Sequence, residues 1–445
     1  MTWLSLAQIA KMTQGELIGA DVNIDSVSTD SRNTDATQLF IALKGERFDA
    51  HNFVSKLEGI AAAALVDKKI NCDLPQVLVK DTRLALGDLA AAWRQQLSLP
   101  VIALTGSNGK TTVKEMLAAI LSKQGNVLAT IGNLNNEIGL PLTLLRLRKQ
   151  HDYAVIEMGA NHFGEIEYLT QMTRPNIALI NNAGAAHLEG FGDIRGVSRA
   201  KGEIFSGLGE TGIAIINKDD PYSAYWQRLC KNKTQTNFAM HSTADISGTV
   251  DSQGQLCINT DQHHITVKLQ LLGDHNAMNA LAATAAALAV GAEPSSIQYG
   301  LESMQAVKGR LAPTETAEGA YLIDDTYNAN PTSLQMGVNV LAKRDGIKIL
   351  VLGDMGELGD DVKKLHYDIG KQVKYAGIDQ LIGLGQYSQQ ACHAFGEGAK
   401  SFLEMDALLS YLKPLIQART SVLIKGSRAM KMERVVNAFS KESVI

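Results

Sequence analysis

A lysine and two threonines close the glycine turn Thr105-Gly106-Ser107-Asn108-Gly109-Lys110-Thr111-Thr112, and these residue types at this spacing suit a polyphosphate. Gly106 and Gly109 let backbone amides approach an anion with no Cβ in the way, and a helix dipole favours negative charge at its first turn. Lys110 reaches the outer phosphates, and the Thr111 hydroxyl is a hard oxygen ligand for magnesium. The strict phosphate-loop pattern places a glycine five residues before Gly109, where this chain has Leu104. The match is therefore to the shorter form TGxxGKTT, read as a nucleoside triphosphate site. A carboxylate that could share the magnesium, Glu157, closes the apolar run Ala154-Val155-Ile156. An imidazole, His187, follows the next apolar run and could complete the shell of a second metal.

These groups need elements that place them. Val101-Ile102-Ala103-Leu104 is short, apolar and β-branched, as a buried strand requires, and Val113, Met116, Leu117, Ile120 and Leu121 recur at helical spacing. Strands are expected at Tyr153 to Met158, Ile177 to Asn181 and Gly212 to Asn217, with helices between them. That alternation predicts a mostly parallel, doubly wound sheet with its ligands at the carboxyl ends of the strands. Asn133 to Asn136 form an amide-rich loop, expected to follow a helix. His263-His264 reads as a hairpin tip between strand-like segments. Asn276 opens an alanine-rich helix, where it either caps the backbone or reads an adenine edge. Lys201, on a short helical pattern, reads locally as a surface lysine.

Further α/β patterns flank this region. Up to Leu97, apolar runs at Gln38 to Leu43, Ala61 to Val66 and Gln76 to Val79 alternate with helical patterns, beginning with an amphipathic helix within Met1 to Gln14. The loops Ser28-Thr29-Asp30-Ser31-Arg32 and Leu43-Lys44-Gly45-Glu46-Arg47 either hold a sugar or pyrophosphate or are solvated turns. Beyond Val307, strands are expected at Ala320 to Asp324, Ile347 to Leu352, Gln380 to Leu384 and Ser421 to Ile424. The polar runs Asp324 to Pro331, Gly353 to Glu357 and Lys425 to Arg428 close three of these, so they should gather on one edge. Gly353-Asp354-Met355-Gly356 lacks the GxGxxG spacing and is not read as a dinucleotide turn.

At 445 residues the chain exceeds one compact core and predicts several domains. Its 45% hydrophobic and 20% charged content is that of an ordinary globular protein, which excludes a disordered chain. A net charge of -4 gives no reason to expect nucleic acid or an acidic membrane as partner. Cys72, Cys230, Cys257 and Cys392 form no CxxC pair, which fits reduced thiols in a cytosol and argues against zinc. No targeting segment or membrane span is expected, so the reading is a cytoplasmic protein.

TGSNGKTT, the Glu157-Met158-Gly159 strand end, HNAMNALAA from His275, Gly309-Arg310 and DDTYNANP from Asp324 occur in this order. Together they resemble the Mur ligases that build the peptidoglycan stem peptide. The Tyr327 to Pro331 run and the Asn133 to Gly139 stretch resemble the branch that joins D-alanyl-D-alanine to UDP-N-acetylmuramoyl-tripeptide. The resemblance spans nearly the whole chain. It implies an α/β protein of three domains: a small N-terminal α/β domain for the UDP-sugar at 1–97, a central P-loop-type ATPase domain with a mostly parallel sheet at 98–307, and a Rossmann-like C-terminal domain for the amino substrate at 308–445. It also implies peptide-bond formation driven by ATP, with ADP and phosphate released. The protein is expected to be a monomer.

The resemblance assigns residues as well. Gly106, Ser107, Asn108, Gly109, Lys110, Thr111 and Thr112 would cradle phosphates, with Thr111 and Glu157 holding Mg2+. His187 would assist a second metal, and Lys201 matches the lysine that the family carbamylates. Lys110, Glu157, His187 and Lys201 are thus the implied catalytic set. Asn276, Arg310, Asp325 and Asn328 match nucleotide positions. Ser31, Arg32, Lys44 and Gly45 match the uridine nucleotide region, while Asn133, Asn136, Tyr327 and Asn330 are expected at the other substrates. Ala50 stands where the family commonly has glycine, and Gly356 where it often has leucine. Alternatives are another Mur-type or folylpolyglutamate-type amide ligase, or a regulatory protein that hydrolyses ATP without ligation.

Overall fold

The computed structural model describes residues 3–441, so Met1 and Thr2 of the expected first helix lie outside the described residues. The fold is α/β, and its three large sheets are mostly parallel. In the first, strands run in the order Glu16–Ile18, Gln76–Leu78, Ala63–Val66, Gln38–Ile41, Ser26–Ser28, with only the first pair antiparallel. The helix Leu6–Met12 is started by Ser5, whose hydroxyl accepts the Gln8 amide while the Gln8 side chain accepts the Ser5 amide.

The second sheet has nine strands, and the Val101–Thr105 strand lies between Tyr153–Glu157 and Ile177–Ile180. Successive crossovers leave that strand on opposite sides, which opens a crevice at its carboxyl end. All five residues of Val101–Thr105 are buried, because helices cover both faces of a parallel sheet. On one face Val113, Met116, Leu117, Ile120 and Leu121 of the helix Lys110–Leu121 pack with the alanine-rich helix His275–Ala289. Alanine lets the two helices approach closely. The far edge ends in two antiparallel pairs, among them Leu256–Asn259 with His264–Val267.

The opposite face of this sheet shares one apolar cluster with the N-terminal sheet. Trp93, on the helix Thr82–Arg94, meets Trp3 edge to face at 5.2 Å and donates its indole N–H to Leu147 O at 3.0 Å. Beside it Arg94 is buried and donates to Thr173 O and Leu97 O. The third sheet orders its strands Ala312–Glu315, Tyr321–Asp325, Thr420–Lys425, Ile347–Gly353, Gln380–Leu384, Ala399–Phe402. Asp325 pairs with Lys425, and Leu352 with Lys425 on the other side, so the three polar strand ends do gather on one edge.

Some expectations differ from the fold. The strands Val127–Ala129, Thr234–Ala239, Ile246–Val250, Ala312–Glu315 and Ala399–Phe402 were not evident in the sequence. They are short or carry polar residues toward solvent, which weakens the apolar pattern; three of them, Val127–Ala129, Ala312–Glu315 and Ala399–Phe402, are edge strands. The Asn133 to Asn136 loop accordingly follows the Val127–Ala129 strand, not a helix. Among the described residues no helix is long and apolar enough to cross a membrane. All four cysteines are free thiols.

Candidate active site

The glycine turn lies between the strand Val101–Thr105 and the helix Lys110–Leu121. Gly109 has φ 79°, and a Cβ there would stand 2.3 Å from Asn279 Oδ1 and 2.6 Å from Asn181 Nδ2. Only glycine fits both the backbone conformation and the space. Amides fix the turn from below: Asn108 N–H donates to Asn182 Oδ1 at 2.9 Å, and Asn181 Nδ2 donates to Asn108 O and to Asn279 Oδ1. Ser107 Oγ donates to Gly184 O and accepts the Gly184 N–H. Lys110 Nζ donates to Gly106 O at 2.7 Å, which holds the ammonium at the mouth of the turn. Desolvation lowers the Lys110 pKa from the ordinary lysine value; Glu157 opposes the shift and Arg310 adds to it.

Glu157 is buried at the end of its strand. Its Oε2 accepts the Thr111 hydroxyl at 3.1 Å, and its Oε1 accepts Asn135 Nδ2 at 2.8 Å. The two hard oxygens predicted for magnesium are therefore neighbours. Among the described residues no three His, Cys, Asp or Glu side chains converge as a metal cluster. A hydroxyl and a carboxylate, completed by phosphate oxygens and water, nonetheless suit magnesium, which keeps several waters and few protein ligands.

Four contacts reach this turn and its flank from beyond residue 307. Arg310 Nη2 donates to Thr111 Oγ1 at 3.2 Å, with its guanidinium stacked on the Tyr327 ring, 4.0 Å from the centroid. Asn330 Nδ2 donates to Asn108 Oδ1 at 2.9 Å, while its own Oδ1 caps the helix Pro331–Ala342. The Ala185 N–H donates to Thr332 Oγ1, and His187 Nδ1 lies 2.6 Å from Glu357 Oε2. His187 and Glu357 both hold left-handed backbone, at φ 55° and 60°, which costs energy in residues other than glycine. The imidazole contact keeps Glu357 below the usual carboxylate range.

Between the two sides lies a cavity of about 400 Å3. Ser107, Asn108, Gly109, Lys110 and Thr112 line it from the turn, with Asn133, Asn136, Glu157 and His187 beside them. Asn276 enters from the alanine-rich helix, and Arg310, Asp325, Tyr327, Asn328 and Asn330 close the other side. Asn276 does not cap its helix: its Nδ2 donates to Leu272 O and its Oδ1 accepts Asn279 Nδ2. Asn136 is partly committed, because its Oδ1 accepts the Gly139 N–H at the start of the helix Gly139–Leu144.

Lys201 departs from its local reading as a surface residue. It is fully buried, its Nζ has no hydrogen-bond partner, and the Phe191 ring centroid is 6.0 Å away. Burial, then the positive charge of Lys110, lowers its pKa to about 7. It does not line the cavity. Ser31, Arg32, Lys44 and Gly45 also lie outside it, in the N-terminal unit. There Arg32 makes a two-point pair with Asp30, and the Gly45 N–H donates to Phe48 O.

Against this geometry, residues 104–287 match the Mur ligase middle domain, and residues 309–428 match the Mur ligase glutamate ligase domain. The UDP-N-acetylmuramoyl-tripeptide–D-alanyl-D-alanine ligase of Escherichia coli strain K12 is 48% identical over 449 residues, covering 99% of both chains. This chain belongs to the Mur ligase family. The crystal structure of MurF from Acinetobacter baumannii superposes on this Mur ligase with a TM-score of 0.93 at 41% identity, covering 98% of each chain. MurF from Thermotoga maritima in complex with ADP gives 0.83 at 28% identity, covering 94% of this chain and 97% of that one.

Several residues of the candidate site were not given a role of their own in the sequence: Asn135, Asn181, Asn279, His275 and Lys425, each named only within a longer run, together with Asn182 and Glu357 as a partner of His187. Asn181 directly follows the Ile177–Ile180 strand, and Asn279 stands three residues after Asn276 on one helix face. Those positions were a signal. The partners that give them meaning are distant in the chain.

Proposed function

We propose that this protein is an ATP-dependent, ADP-forming ligase that joins D-alanyl-D-alanine to UDP-N-acetylmuramoyl-tripeptide, giving the UDP-muramoyl-pentapeptide of peptidoglycan synthesis. The observation that carries the reading is the cavity in which Lys110 faces Arg310 and Asp325, with Arg310 donating to Thr111 at its edge. A carboxylate resists attack by an amine, so it must first be activated. The terminal carboxylate of the tripeptide attacks the γ-phosphorus of ATP, and ADP leaves, giving an acyl phosphate. The amine of D-alanyl-D-alanine then attacks the acyl carbon, loses a proton, and expels inorganic phosphate as the amide forms.

Lys110 and Arg310 offset the negative charge that both steps gather, in a site partly closed to water. The amides of Gly106 to Thr112 orient the phosphates, and Asn276, Asp325 and Asn328 orient the rest of the nucleotide. Thr111 and Glu157 would hold Mg2+, which when bound would neutralise phosphate charge. Asn133, Asn136, Tyr327 and Asn330 face the acceptor and the incoming amine. Ser31, Arg32, Lys44 and Gly45 receive the uridine nucleotide.

Lys201 is carbamylated in this reading. Its unpartnered amine, with a pKa lowered to about 7, is neutral in a large share of molecules at neutral pH and so able to add carbon dioxide. The carbamate would restore a charge that His187 and a metal could use. The division 1–97, 98–307 and 308–445 is supported by the confinement of each large sheet to one of these spans. The protein acts as a monomer in the cytoplasm.

Incubation with ATP, magnesium, UDP-N-acetylmuramoyl-tripeptide and D-alanyl-D-alanine should give a pentapeptide mass and phosphate release that needs both acceptor and amine. Phosphate release indifferent to the amine would favour a non-ligating ATPase. Intact-mass and metal-binding measurements on wild type and Lys201→Ala decide the carbamate; indistinguishable behaviour would remove it.

A further inference from the structure

We infer that Lys425 is a positioning residue for the ligase reaction: it pins two of the arms that reach across the cleft, the Gly309–Leu311 turn bearing Arg310 and the Asp325–Asn330 loop. Lys425 ends the strand Thr420–Lys425 and is 1% exposed. Its ammonium donates to Asp325 Oδ2 and, at 3.0 Å, to Asn328 O. The other Asp325 oxygen, Oδ1, accepts the Leu311 N–H at 3.3 Å, one residue from Arg310. Arg310 then reaches Thr111, and the loop that begins at Asp325 carries Asn330 to Asn108. These two arms thus converge on one buried ammonium.

The choice of lysine follows from this geometry. A buried cation needs a charged partner and a further acceptor to repay its desolvation, and Asp325 with Asn328 O supplies both. Two acceptors on different segments lock the loop relative to the turn. Lys425 therefore acts through Arg310 and the Asp325 loop, and the idea rests on the ligase reading above.

The test is a double-mutant cycle of Lys425→Met and Arg310→Ala in the full chain, with kcat and KM measured beside the unfolding midpoint. If the pin acts through Arg310, Lys425→Met lowers kcat by about ten-fold or more, leaves KM for UDP-N-acetylmuramoyl-tripeptide within about two-fold, and costs less than about three-fold once Arg310 is already alanine. A penalty of equal factor in both backgrounds overturns the proposal, as does a wild-type kcat in Lys425→Met. Should the methionine variant fail to fold, Lys425→Gln, neutral but still a donor, enters the same cycle with the same two outcomes. A wild-type enzyme that makes no pentapeptide would instead sink the ligase reading, so the two failures are distinct.

Discussion

Arg310 donates to the Thr111 hydroxyl at 3.2 Å although 199 residues separate them in the chain. The same hydroxyl donates to Glu157, so one threonine links the arginine of the C-terminal unit to the carboxylate of the central sheet. A magnesium-bound phosphate brought to this point would meet Lys110 from below and Arg310 from across the cleft. The arrangement ties closure of the cleft to completion of the charge-stabilising set.

Arg310→Ala should lower kcat by about 10²-fold, the usual scale for removing one group that stabilises developing charge. The side chain is only half-buried, so the melting temperature should move little. Coupled-assay kinetics alongside thermal unfolding check this; a large stability loss with intact kcat would make the residue a structural strut only.

Glu157→Gln keeps the size of the side chain and its link to Asn135 but removes the anionic ligand beside Thr111. The variant should need much more magnesium for half-maximal activity and lose about 10²-fold or more at ordinary magnesium. Titrating magnesium against phosphate release reads this out. An unchanged magnesium requirement would place the ion elsewhere.

Gly109→Ala puts a Cβ against Asn279 Oδ1 in a backbone at φ 79°. The left-handed conformation alone costs about 1 kcal/mol or more in a residue with a side chain. The turn should distort and nucleotide affinity fall by about ten-fold or more, measured by calorimetry with ADP. Normal affinity would mean that the amide scaffold below the turn yields without consequence.

Lys201 gives a pH signature. Burial lowers its pKa to about 7, so between there and the ordinary lysine value the folded protein binds fewer protons than the unfolded chain. Stability therefore rises with pH through that window, and the full cost of burying the ammonium is present below about pH 7. Lys201→Met should flatten the rise. Urea unfolding in bicarbonate-free buffer at pH 7 and pH 9 compares the two, and equal slopes would contradict a buried free amine.

The sequence alone carried the local chemistry. Thr105 to Thr112, with its flanking strand and helix, was legible as a glycine turn between a buried strand and an amphipathic helix and was read as a phosphate turn, because glycine, lysine and hydroxyl residues at that spacing and an apolar repeat on one helix face are properties of adjacent residues. The ends of the parallel strands, at Glu157 and at Asp324 to Pro331, were legible for the same reason. What the tertiary structure decided was partnership. Lys201 reads as a surface lysine in its own helix, and only the packing of Phe191 and its neighbours makes it a buried, unpartnered amine. Asn181 and Asn279, 98 residues apart, support Gly109 by a hydrogen bond that no local pattern encodes. Lys425 acquires its role from Asp325, 100 residues earlier, through the parallel register of two strands. Residue type and spacing set what each group can do; which groups meet, and with what charge, is fixed by contacts formed across the whole length of the chain.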